Sequence, residues 1–194
     1  MAEPTASPSL PSTTPHEPQT PAPNPGSTGI PIAMIGAYEK IGAELAKRLA
    51  PEFDTVHHSL IEDAFTEIPL LLTGDLSAPH RTGIGSNAQR AVEQRRFPVL
   101  VVLGKEAPPE IEEQVLEAVK ELEAKGSATE AGGKEAVSAR GPVKFLRAGV
   151  YDKNIIGKGG PPDVGRLVEI LRGKLREALG AGEGVEGGDV GKEV

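Results

Sequence analysis

Residues 30–49 read IPIAMIGAYEKIGAELAKRL, and the reading of this stretch decides the fold. Ile30 to Ile35 is an apolar run of strand length, Gly36 interrupts it, and Ile41, Leu45 and Leu49 then recur at i, i+4 and i+8, the spacing of one helix face. A strand that runs through a short glycine turn into an amphipathic helix is the opening unit of a parallel α/β sheet.

Outward from this stretch the alternation returns three times. The run 53–58 (FDTVHH) leads into a helix with a capping box, Ser59 and Glu62, with Ile61, Phe65 and Ile68 on its buried face and Pro69 near its end. The run 97–104 (FPVLVVLG) precedes a helix with Pro109 in its first turn, Ile111, Val115, Ala118, Val119 and Leu122 on one stripe, and Gly126 as its stop. The run 141–149 (GPVKFLRAG) precedes a helix that starts near Pro162 and Asp163, aligns Val164, Leu167, Val168, Leu171, Leu175 and Leu179, and stops at Gly180. The prediction is a three-layer, Rossmann-like or flavodoxin-like α/β domain over residues 30–179. The segment 73–96 is a long link with one short helix at 86–94, and 126–140 is a surface loop.

Runs 30–36 and 97–104 are apolar almost throughout, whereas 53–58 carries Asp54, His57 and His58 and 142–149 carries Lys144 and Arg147. Central strands are shielded on both sides and edge strands carry charge, which gives the order 2-1-3-4. Open parallel sheets bind ligands beyond the carboxyl ends of their strands, where the order reverses. That crevice lies between the loops 36–42 and 104–106. Glu39, His57, His58, Lys105, Tyr151, Asp152 and Lys158 are the candidate ligand-edge residues.

Composition separates the flanks from this domain. The chain has 194 residues with 24 glycines and 18 prolines. Residues 1–29 are rich in Pro, Ser and Thr and hold only Glu3 and Glu17 as charges; residues 180–194 are rich in Gly and Glu. Neither flank has apolar surface to offset the entropy of ordering it, so both are predicted to be disordered tails. They carry −2 and −3 of the net charge of −7, leaving the domain almost neutral. An acidic chain is a poor partner for nucleic acid or an anionic membrane surface. No apolar run approaches the roughly 20 residues that cross a bilayer. There is no secretory or mitochondrial leader pattern, which predicts a cytoplasmic protein, with the nucleus also open. The absence of cysteine excludes disulfides, thiolate zinc sites, iron–sulfur clusters and cysteine nucleophiles.

The stretch IAMIG-AYEKIG-AELAKRL resembles the opening of NAD(P)-binding Rossmann proteins, especially atypical short-chain dehydrogenases and NmrA-like proteins, whose loop reads GATGxxG. Over the whole domain the chain also resembles small uncharacterised fungal proteins with a Rossmann-like pattern. The resemblance implies a cofactor held at Gly36, Tyr38, Lys40 and Gly42 and an NAD(P)-dependent oxidoreductase of the atypical short-chain type. It places Glu39 at the middle glycine, where backbone amides of the family approach the pyrophosphate. A carboxylate there adds bulk and negative charge at an anion site. The competing reading gives Gly36 and Gly42 to turn and packing, with Glu39 set favourably against the helix dipole. Neither Tyr38 nor Tyr151 has Lys at the fourth following position, and His57 and His58 stand where an acidic residue would hold a ribose. The favoured expectation is therefore a non-catalytic or vestigial Rossmann-like protein with no cofactor. It would act through a small-ligand pocket, with a small anionic compound or nucleotide as candidate ligand, or as a homo-oligomeric interaction module. NAD(P) is the alternative.

Other patterns are weaker. His57 and His58 are adjacent on a strand and point to opposite faces, so they do not chelate one metal, though one could serve as an acid or base. Gly157-Lys158-Gly159-Gly160 lacks the P-loop pattern, and a hinge is its simpler meaning. Arg81, Arg90, Arg95 and Arg96 read as a solvated basic face.

Overall fold

The computed structural model describes residues 28–124, 143–149 and 163–180. Four strands, β1 (Ile30–Gly36), β2 (Phe53–Leu60), β3 (Leu100–Leu103) and β4 (Lys144–Arg147), form one sheet. It is entirely parallel, in the order β2-β1-β3-β4. The helices are α1 (Glu39–Leu49), α2 (Ile61–Leu72), α3 (Ile111–Ala124) and α4 (Val164–Ala178). Of the predicted tails, residues 1–27 and 181–194 lie outside the described residues, as do the 126–140 loop, Tyr151, Asp152, Lys158 and the 157–160 glycines, whereas Gly29 is described and buried.

Alternation along the two central strands sorts the core into two layers. Ala33, Ile35, Val101 and Leu103 face α2 and α3, meeting Ala64, Ile68, Leu71, Ile111 and Val115. Ile32, Met34, Leu100 and Val102 face α1 and α4, meeting Leu49, Val168, Leu171 and Leu175. Helix α4 starts beside Asp163, as the sequence predicts, and the Asp163 side chain caps it by accepting from the Arg166 amide at 3.2 Å.

Four local expectations are corrected. The capping box does not form: β2 continues through Ser59, paired with Ile35, and the cap position of α2 falls on Leu60 without a side-chain bond. The Ser59 hydroxyl instead serves a buried carboxylate. On α2, Phe65 is 39% exposed while Glu67 is fully buried, so the helix is rolled toward Ala64, Ile68 and Leu71. Helix α3 begins at Ile111, beyond Pro109. The single helix expected at 86–94 is two short 3-10 turns, Ser86–Gln89 and Val92–Gln94.

The largest departure concerns β2. It is an edge strand by order, yet Phe53 through Ser59 are all buried. The link 73–96 runs along its outer edge as a strap. The His58 amide donates to Ile84 O at 3.1 Å, and the Thr82 hydroxyl donates to His58 O at 2.7 Å. Gly85, at φ 119°, lies so close to Val56 O that a Cβ would stand 2.5 Å from it. The basic cluster is the strap's fastening and not a solvated face. Arg90 and Arg96 both donate to buried Asp54, at 3.1 and 3.0 Å, Arg81 pairs with Asp63, and Arg95 donates to Leu76 O at 2.6 Å. The opposite edge, β4, keeps Lys144 and Arg147 exposed, as expected.

Candidate functional site

Beyond the carboxyl ends of β1 and β3, on the side of α1 and α4, lies a pocket of about 410 Å³. Met34 and Val102 supply its floor, Ile41 and Leu45 of α1 one wall, and Leu167 and Leu171 of α4 the other. Gly36, Tyr38, Gly104, Lys105 and Glu106 form the mouth. It occupies the crevice where sheet topology predicts a ligand. Gly104 donates its amide to Ile35 O at 2.8 Å, and a Cβ there would stand 3.0 Å from that same oxygen.

Of the residues predicted to hold a cofactor, Gly36, Tyr38 and Gly42 line this pocket and Lys40 does not. Of the ligand-edge candidates within the described residues, His58 and Lys105 line it, and Glu39 and His57 do not. Glu39 is exposed in the first turn of α1, where its carboxylate faces the positive end of the helix dipole.

His58 explains the two glycines of the loop. A Cβ at Gly36 would lie 3.3 Å from His58 Nε2, and one at Gly42 would collide with the same ring. The close approach of α1 to the sheet thus accommodates an imidazole, and that imidazole belongs to the protein itself. Its Nδ1 is buried with no hydrogen-bond partner. Burial, reinforced by neighbouring His57, pushes the His58 pKa down to about 4, so the ring is uncharged at neutral pH.

A bulge puts His58, not His57, in the pocket. Ile32 pairs with Thr55 and Ala33 with His57, so Val56 is an extra residue in β2. Insertion of one residue reverses the facing of everything after it. Phe53 and His58 therefore share the α1 side, while His57 and Ser59 turn to α2.

On that second face His57, Ser59 and Glu67 form a closed polar cluster. Glu67 Oε2 accepts from the Ser59 hydroxyl at 2.7 Å and lies 3.0 Å from His57 Nε2, and Glu67 Oε1 accepts from the Arg81 amide at 3.0 Å. Burial alone would raise the Glu67 carboxyl, but the bonds from His57, Ser59 and Arg81 outweigh it and hold it below its ordinary range. The His80 ring lies 4.2 Å from that of His57, with both its nitrogens buried and unpartnered. Burial, then the charges of His57 and Arg95, lower its pKa to about 4. The histidine does not stand between serine and carboxylate, and all three side chains are sealed from solvent, so this is an anchor for the strap and not a nucleophile triad. Sequence reasoning missed Glu67 and His80. The one signal was an acidic residue set directly before the apolar run IPLLL of α2.

No protein-family model, no curated protein and no solved structure matches the chain. Among the described residues, no group of three or more His, Cys, Asp or Glu side chains is placed to hold a metal ion. Nor is any of their helices long and apolar enough to cross a membrane.

Proposed function

We propose that this is a non-catalytic Rossmann-like binding protein whose pocket takes a small, largely apolar molecule in place of a dinucleotide. The observation that carries the reading is His58 filling the space that Gly36 and Gly42 leave open. In a dinucleotide-binding turn, glycines bring backbone amides to a pyrophosphate and let the helix approach the strand. Here the second role has a resident beneficiary. For the first role, the turn offers Glu39 where an anion would need an uncharged approach. The pocket's carbon-rich walls and its volume of about 410 Å³ suit a small-molecule site, for which about 300–1,000 Å³ is usual.

The test is thermal denaturation of the full chain with NAD, NADP and their reduced forms, beside binding of the uncharged fluorophore N-phenyl-1-naphthylamine. The expected outcome is a blue-shifted, saturable signal with the fluorophore and no stabilisation by the dinucleotides. Leu167→Trp, which fills the pocket from the α4 wall, abolishes the signal. Stabilisation by micromolar NADP that is lost in Gly42→Trp would overturn the reading in favour of the oxidoreductase.

A further inference from the structure

We infer that His58 is the polar anchor of the pocket, and that its ligand is an uncharged apolar molecule bearing one hydrogen-bonding group, a hydroxyl or a carbonyl, that pairs with this ring. The inference rests on the pocket reading and adds the chemistry of the occupant.

The side chains of Met34, Leu45, Val102, Leu167 and Leu171 in the pocket lining offer no hydrogen-bonding atoms beyond a thioether. His58 is the exception: it lines the same cavity while only 1% exposed, and no described group of the protein hydrogen-bonds its ring. A buried polar side chain without a partner costs stability, and proteins tolerate it where something else completes the bond. The ring is also held still. The Gly36 and Gly42 backbone lies against its Nε2 edge, and the strap fixes its main chain at both N and O. A rigid, preplaced group loses little freedom on pairing.

An uncharged imidazole donates from one nitrogen and accepts at the other, and its tautomer adapts to a ligand that brings either a proton or a lone pair. It offers no charge to a carboxylate or phosphate. The mouth adds no net positive charge to attract an anion, since Glu106 stands there beside Lys105. Apolar walls exclude a strongly hydrated head from the interior. What remains is a molecule that buries a hydrocarbon or aromatic body and presents one uncharged polar atom.

The experiment compares three probes of one shape, naphthalene, 2-naphthol and 2-naphthoate, titrated into the full-length protein at pH 7.5. 2-Naphthol should bind about three- to tenfold more tightly than naphthalene, the worth of one net hydrogen bond. 2-Naphthoate, an anion at this pH, should bind most weakly of the three. In His58→Leu the advantage of 2-naphthol should vanish while naphthalene binds within about twofold of its original affinity, since apolar burial is retained. The order of the three probes on the natural chain decides the matter even if that variant folds poorly, and His58→Gln, which keeps a hydrogen-bonding group, should retain part of the preference. Naphthalene binding as tightly as 2-naphthol, or 2-naphthoate binding tightest, overturns the anchor and leaves the pocket reading standing. Failure of both uncharged probes to bind, with no response to Leu167→Trp, overturns both.

Discussion

Mild acid should destabilise this domain through two histidines, above the pH range in which carboxylates ordinarily titrate. His58 and His80 have pKa values lowered from 6.5 to about 4, each chiefly because burial penalises the charged ring. A base with a depressed folded pKa takes up its proton in the unfolded chain first. Stability is therefore full above pH 6.5, falls as pH drops through that value, and stops falling on this account near pH 4. At the steepest, each ring costs about 1.4 kcal/mol per pH unit. Between pH 7 and pH 5 the two together remove about 2–4 kcal/mol, half-buried His80 contributing no more than His58; this is a large share of the roughly 5–15 kcal/mol that holds a domain folded. The assay is urea unfolding followed by far-ultraviolet circular dichroism at pH 7, 6 and 5. This window stays above the titration of Glu67, whose carboxyl is held below its ordinary range and so withdraws its own contribution only at lower pH. His80→Phe should remove about half of the fall, because Phe keeps the ring contact with His57 and binds no proton. A loss below about 1 kcal/mol across the window, or an unchanged slope in His80→Phe, refutes the claim that these rings are buried uncharged.

Three further outcomes follow from particular contacts. Glu67→Leu should destabilise the protein by about 3–5 kcal/mol in equilibrium unfolding, since it strands the Ser59 hydroxyl, the Arg81 amide and His57 Nε2 inside the core; a change within experimental error would show the cluster to be incidental. Asp54→Ala should cost about 3–5 kcal/mol by leaving Arg90 buried without its carboxylate, and hydrogen exchange should show the 80–96 strap opening before the sheet. Gly42→Ala would ordinarily stabilise a helix interior by about 0.5–1 kcal/mol, yet here it should destabilise by about 1–3 kcal/mol. Pairing it with His58→Ala should recover most of that loss in a double-mutant cycle, and additive losses would mean the ring and the glycine do not meet.

The sheet was legible because its signals are local. In the first unit an apolar run, a breaking glycine and a three-four repeat lie within twenty residues, the other units repeat the run and the helical stripe, and charge along β2 and β4 marked them as edges. For β4 that reasoning holds physically, since Lys144 and Arg147 meet solvent. For β2 the order is right but the cause differs: Asp54 and His57 are polar because the strap and α2 bring Arg90, Arg96 and Glu67 to them. Those partners lie 36, 42 and 10 residues away in sequence, and no periodicity reports a pairing over such distances. A buried polar edge under a polar strap and an exposed polar edge have the same composition. The distinction exists only in tertiary structure.

The candidate site failed to be legible for a sharper reason. Its location follows from strand order alone, and Gly36, Tyr38, Gly42 and Lys105 fall where topology puts them. Which histidine enters the pocket depends on parity, and parity depends on Val56. With an unbroken β2, His57 would share a face with Phe53 and stand under α1, while His58 would meet Glu67's side of the sheet. One extra residue exchanges them, and nothing in FDTVHH marks the bulge: the Gly85 that fits against Val56 O lies almost thirty positions onward, in a segment that reads as an irregular link. The same exchange separates the two meanings of the glycine loop. If His57 faced α1, the space beside Gly42 would be set by a different ring from a different position, and the pair of glycines would again be free to read as a phosphate turn. The functional conclusion therefore hangs on a backbone irregularity in the neighbouring strand more than on the motif that first draws attention.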